Sequence, residues 1–164
     1  MIKGAIFDLD GTIVDSMFIW DTIGEEYLLS LGITPKENLA QTFKTFTLTE
    51  SAKYYREHYG VKLTVKQITD GINNMVAEIY RTKVTLKPGA YDFLKRLHKS
   101  GVKMCVATVT DKDIAEDVLN RLNVREYFSK IYTCADIGYG KQNPEIYRQA
   151  LKYLGTQKKR NGSF

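Results

Sequence analysis

Residues 4–12 read "GAIFDLDGT". An apolar run that ends abruptly in charged residues is the pattern of a strand buried on both faces, as in a parallel sheet flanked by helices. At the carboxyl end of that run, Asp8 and Asp10 stand one residue apart. In open parallel sheets, ligands bind beyond the carboxyl ends of the strands. Period-two geometry lets both carboxylates project into one such site, with Gly11 turning the chain. Two like charges there repel unless a cation lies between them, and a hard divalent ion such as Mg²⁺, which takes oxygen ligands, resolves the conflict. Asp-Gly alone is a common turn dipeptide. The fuller pattern of apolar strand followed by D-x-D-G-T is far more restrictive.

Working outward, "VKMCVATVT" (102–110) and "KIYTCAD" (130–136) read as further buried strands. Amphipathic helices alternate with them. In "GAYDFLKRLHKSG", Ala90, Phe93, Leu94 and Leu97 share a face and Gly101 supplies a stop. In "TDKDIAEDVLNRL", Thr110 and Asp113 have capping-box spacing, and Ile114, Val118 and Leu122 form the expected buried stripe. "NPEIYRQALKYLG" opens at Pro144 and closes at Gly155. Strand and helix in alternation predict an α/β fold: a Rossmann-like parallel sheet with helices on both faces and right-handed crossovers. Residues 16–85 break the alternation with helical patterns only, over 18–31, 37–46, 49–59 and 65–81. The expected organisation is therefore an α/β core of residues 1–15 and 86–164, with an inserted all-helical cap over 16–85. Its place directly after the paired aspartates suits a lid.

Composition adds exclusions. The 164 residues are 43% hydrophobic and 26% charged, with no low-complexity tract or internal repeat. No apolar run approaches the ~20 residues of a membrane span, and the amino terminus lacks a signal-peptide pattern. A soluble, cytoplasmic protein is expected, with no membrane partner. The net charge of +5 does not imply nucleic acid: residues 16–85 hold eight basic and eight acidic side chains, and Lys158, Lys159 and Arg160 form a short basic tail of the kind that is usually solvated. Cys105 and Cys134 both fall in expected strands and read as buried, reduced thiols. No Cys/His spacing suits a metal, and His58 and His98 read as surface or core-edge residues.

The sequence resembles the haloacid-dehalogenase-like superfamily, in the subgroup containing β-phosphoglucomutase and phosphoglycolate phosphatase. Asp8, Asp10, Gly11 and Thr12 match its first motif, and "VDS" (14–16) continues the similarity. Thr108 in "CVATVT" matches the strand-ending hydroxyl of the second motif, and Lys141 with Pro144 in "GKQNPEIY" matches the third. The resemblance covers residues 2 to about 155, and a helical cap between the first and second motifs is typical of the subgroup. It implies a Mg²⁺-dependent phosphatase of small phosphorylated metabolites. Asp8 would be the nucleophile that forms an aspartyl-phosphate, and Asp10 the general acid and base. Thr108 would bind the phosphoryl group, and Lys141 would offset negative charge. Mg²⁺ would be held by Asp8 and by the backbone carbonyl of Asp10. Asp10 also favours phosphoryl transfer over dehalogenation. A phosphomutase of sugar phosphates, or a catalytically inactive binding protein, are the alternatives.

One family element has no counterpart. The fourth motif is an acidic pair after Lys141, yet no Asp or Glu follows Glu145. Asp111 and Asp136 are weak substitutes, one expected near a helix start and one in a loop. The expectation is a chain truncated before that motif, with weakened Mg²⁺ binding and low or absent activity. Because the strand bearing that motif lies beside the first one in the family, "GAIFDLD" is expected to form an uncovered sheet edge that could pair two chains as a homodimer.

Overall fold

The computed structural model describes residues 2–155 and the backbone of residues 161–163. Lys158, Lys159 and Arg160, the expected basic tail, lie outside the described residues. The chain divides into two compact units, Met1–Ser16 with Lys83–Phe164, and Met17–Thr82.

The first unit is an α/β layer. Its strands β1 (Gly4–Phe7), β4 (Lys103–Thr108), β5 (Phe128–Thr133) and β6 (Asn161–Ser163) form one parallel sheet in the order β5-β4-β1-β6. Strands β2 (Val14–Asp15) and β3 (Thr85–Leu86) make a separate two-residue antiparallel ladder. Helices α5 (Ala90–Lys99), α6 (Lys112–Arg121), the single turn α7 (Cys134–Ile137) and α8 (Glu145–Leu154) complete the unit.

Side chains alternate across β1, and that alternation builds two cores. Ile6 points to the face where Cys105, Ala107 and Tyr132 meet Ile146, Ala150 and Leu154 of α8. Phe7 meets Phe93 of α5 and Phe128 edge-on, at centroid distances of 6.2 and 5.9 Å. A strand buried on both faces has no room for a polar side chain until it ends, so the first charged residue comes directly after Phe7. Each fully buried Ile or Leu in these layers contributes about 1.5–3 kcal/mol of transfer free energy.

Four expectations are corrected. The first strand was expected over 4–10 but stops at Phe7, because the chain beyond it folds into a loop. The expected "KIYTCAD" strand ends at Thr133, and Cys134 opens a helical turn in which the Thr133 hydroxyl accepts the Asp136 N–H. Cys105 is buried as expected, but Cys134 is only half-buried. The expected open edge on β1 is also absent over Gly4–Ile6, which pair in parallel with Asn161–Ser163. This removes the reason for expecting a homodimer there. Asn-Gly-Ser lacks the apolar pattern of a strand, so local sequence carried no sign of β6.

The second unit is helical: α1 (Ile19–Ser30), α2 (Leu39–Thr42) running into a 3₁₀ turn (Phe43–Thr45), α3 (Leu48–His58) and α4 (Val65–Thr82). Ile68, Ile72, Val76 and Ile79 form the buried stripe of α4. A capping box starts α3: Thr47 accepts the Glu50 N–H while Glu50 accepts the Thr47 N–H. No helix among the described residues is long and apolar enough to cross a membrane.

Candidate active site

The candidate site lies where β1 and β4 end. After Phe7 the backbone closes on itself: the Leu9 carbonyl accepts the N–H groups of Ile13 at 2.9 Å and Val14 at 3.1 Å, and the Gly11 N–H donates to Val14 at 2.9 Å. Gly11 sits at φ 73°, a left-handed conformation that glycine adopts without a Cβ clash. Leu9 is fully buried and anchors this loop, while the carboxylates on either side of it are only partly covered. An apolar residue between two acidic ones thus holds the turn down and leaves the charges at its surface.

Asp8 and Asp10 have different partners. Asp8 Oδ1 accepts the Leu9 N–H at 2.7 Å and lies 2.5 Å from Lys141 Nζ. Lys141 comes from the segment between α7 and α8, so the residue of the third motif is carried back to the first strand by the sheet crossover. Asp10 is held by hydroxyls: Ser16 donates to its Oδ1 at 2.8 Å, and Thr110 donates to its Oδ2 at 2.6 Å. An O–H bonded this closely to a carboxylate oxygen is among the stronger hydrogen bonds. Thr108, fully buried at the end of β4, lies at a longer 3.5 Å from Asp10 Oδ2 and accepts the Thr110 N–H at 3.1 Å.

The structure therefore places all four expected residues at this end of the sheet, Asp8 with Lys141 and Asp10 with Thr108. It adds two that sequence reasoning missed. Ser16 is fully buried and commits its hydroxyl to Asp10; its only sequence signal was its place in "VDS". Thr110 was expected to cap the following helix. Instead α6 has Asp111 at its cap position with no side-chain cap bond, and the Thr110 hydroxyl is spent on Asp10. The buried stripe of α6 also shifts, to Ala115, Val118 and Leu119.

The donors present suit a hard cation in kind. The Asp8 carboxylate and the Asp10 main-chain carbonyl are oxygen ligands, and Mg²⁺ is commonly held by one or two carboxylates together with water and phosphate oxygens. Among the described residues, no group of three or more His, Cys, Asp and Glu is placed to hold a metal. Asp136, a weak candidate in the sequence, faces Lys112 at 3.9 Å.

A family model described as haloacid dehalogenase-like hydrolase matches residues 5–161 of the chain. The chain belongs to that family. Among relatives of this haloacid dehalogenase-like hydrolase, hexitol phosphatase B of Escherichia coli (strain K12) is 24% identical over 158 residues, covering 94% of this chain and 71% of that protein. Pyrophosphatase PpaX of Halalkalibacterium halodurans is 26% identical over 176 residues, covering 96% of this chain and 71% of that one. A crystal structure of a Thermotoga maritima protein provisionally named a beta-phosphoglucomutase aligns with a TM-score of 0.89 at 21% identity, over 99% of this chain and 76% of that one. CbbY from Rhodobacter sphaeroides, solved in complex with phosphate, aligns with a TM-score of 0.73 at 22% identity, over 99% and 77%. The structural likenesses establish a shared haloacid dehalogenase-like fold.

Proposed function

We propose that this chain is a Mg²⁺-dependent phosphatase of small phosphorylated metabolites, working through an aspartyl-phosphate, with the helical unit as its cap. The observation that carries the reading is the pairing of Asp8 with Lys141 beside an Asp10 held by hydroxyl donors, all at the carboxyl end of a parallel sheet. Support also comes from the phosphatases among its relatives.

In this reading an Asp8 oxygen attacks phosphorus, and the bond from phosphorus to the substrate oxygen breaks. Asp10 serves as the general acid, and a proton passes from its carboxyl group to the departing alcohol. A water then attacks the phosphorus of the aspartyl-phosphate and its proton passes to Asp10, releasing phosphate and restoring the Asp8 carboxylate. Lys141 compensates the charge gathered on Asp8 and the phosphoryl oxygens, and Thr108 offers its hydroxyl to the same group. Ser16 and Thr110 fix the direction in which Asp10 faces. Mg²⁺, when held by the Asp8 carboxylate and the Asp10 carbonyl, supplies further positive charge to the phosphoryl oxygens.

Release of phosphate from an aryl phosphate, measured with and without Mg²⁺, tests the proposal. Metal-dependent turnover that disappears in Asp8→Asn supports it. A flat response at high protein concentration, from a chain that melts cooperatively, overturns it.

A further inference from the structure

We propose that the sheet unit carries a binding site for a small polyanion, one with two or more phosphate or carboxylate groups, in a groove between β5 and α8. The groove has a volume of about 600 Å³ and is walled by Lys130 and Tyr132 of β5 and by Glu145, Arg148, Lys152 and Tyr153 of α8. None of its lining residues belongs to the Asp8, Asp10 and Lys141 cluster, so the inference does not rest on the phosphatase reading.

Secondary structure gathers the charge. Lys130 and Tyr132 are two apart on a strand and share a face, while Arg148 and Lys152 are four apart on a helix and stand one turn from each other. Like charges at that helical spacing repel and destabilise the helix. Glu145, the carboxylate of the groove, offsets little of this. It lies 3.8 Å from an exposed Arg148 and accepts the Gln149 side-chain N–H at 3.2 Å. Among the described residues, no carboxylate pairs with Lys130, Lys152 or the neighbouring Lys103. Three cations against one carboxylate leave a positive surplus that a polyanion neutralises and a monoanion does not.

A buried donor points to the same occupant. Tyr132 is only 6% exposed and its ring packs in the core with Cys105 and Ile146, yet its hydroxyl has no hydrogen-bond partner among the described residues. No fully enclosed polar side-chain atom there lacks a partner, so this hydroxyl reaches solvent, and the groove is the open space that Tyr132 lines. Burial pushes the Tyr132 phenol up, which keeps it protonated and able to donate to an anionic oxygen. The rings are less open to a planar base. Lys103 Nζ lies 4.0 Å and Lys130 Nζ 5.4 Å from the centre of the Tyr153 ring, and Lys130 Nζ is 4.8 Å from that of Tyr132. Charge and a hydroxyl donor, not stacking, therefore select the ligand.

The test titrates the full chain by calorimetry with inorganic tripolyphosphate and with citrate, in EDTA so that no metal-dependent turnover intervenes. The expected result is saturable binding of one ion per chain, and the tighter ion identifies phosphate or carboxylate as the source of charge. Lys130→Gln and Lys152→Gln each weaken binding about tenfold, and Tyr132→Phe about threefold. Lys95→Gln removes an exposed lysine that also sits over a tyrosine ring, outside the groove, and leaves binding unchanged. The event persists in Lys141→Ala, which separates the groove from the Asp8 cluster. No saturable binding of either ion, equal weakening in Lys95→Gln, or binding that survives both groove lysine substitutions and vanishes in Lys141→Ala would overturn the proposal. Lys130 and Lys152 are exposed, so the test survives a failure of Tyr132→Phe to fold.

Discussion

Lys141 Nζ lies 2.5 Å from Asp8 Oδ1, joining a residue from near the last helix of the sheet unit to the residue that directly follows its first strand. The side chains are 24% and 36% exposed, so the pair remains within reach of solvent and of a ligand. An ammonium in that position does two jobs in the proposed chemistry. It holds the attacking oxygen in place, and it offsets charge as the phosphoryl group arrives.

Lys141→Ala is therefore expected to lower kcat for aryl phosphate hydrolysis by about a hundredfold or more. Lys141→Arg, which keeps the charge but changes its geometry, should retain part of it. Steady-state kinetics on both variants, alongside thermal melts, separates lost chemistry from lost folding. Equal turnover in Lys141→Ala and the wild type would remove Lys141 from the mechanism.

Thr110 is a positioning residue in the same reading, because it acts through Asp10 Oδ2. Thr110→Val keeps the shape and deletes the donor. Its expected cost is about 1 kcal/mol in unfolding free energy by urea titration. Turnover should fall with KM little changed, and Thr110→Ser should restore it. A Thr110→Val enzyme with wild-type kcat would make the hydroxyl purely structural.

The capping box of α3 allows a test independent of catalysis. Thr47→Ala removes the side-chain acceptor for the Glu50 N–H and should destabilise the chain by about 1 kcal/mol. The Thr47 N–H and hydroxyl beside Glu50 hold its carboxyl below the usual carboxylate range. A carboxyl depressed in the folded state adds stability above its unfolded pKa and loses it as pH falls through the folded value. The melting difference between the wild type and Glu50→Gln should thus be present at neutral pH and fade below about pH 4. A difference that persists in acid would contradict the ionised cap.

The two thiols should behave differently. Burial pushes the Cys105 thiol up, while Cys134 is half-buried at a helical turn. Since the thiolate is the reactive form, Ellman's reagent should titrate one thiol quickly in the folded chain and two in denaturant. Loss of the fast phase in Cys134→Ser checks the assignment, and a fast phase that survives in that variant refutes it.

These comparisons show what local pattern encodes. Asp8, Asp10 and Gly11 were legible because strand end, charge and turn fall within a few residues, and each constrains its neighbours. Thr108 and Lys141 were legible only as members of an ordered set, since a strand-end hydroxyl and a lysine carry little information singly. Thr110 was misassigned because its spacing from Asp113 offers a local use as a helix cap. Its actual partner, Asp10, is distant in sequence and becomes a neighbour only when β1 and β4 pair. The β6 strand was missed for a related reason: its pairing comes from backbone groups of Gly4–Ile6, which take any partner whose register fits. Alternation of strand and helix set the architecture, while side-chain commitments across the sheet required the fold itself.

The short ladder between Val14–Asp15 and Thr85–Leu86 has a consequence for how such chains diversify. The Lys87 N–H donates to the Ile13 carbonyl at 2.9 Å, and its ammonium lies 3.4 Å from Asp15, so the outward and homeward crossings of the chain are stitched side by side. A segment whose ends are tethered in this way can be exchanged for one of another length or composition without re-threading the strands. The paired aspartates lie outside that segment, so such an exchange leaves them in place.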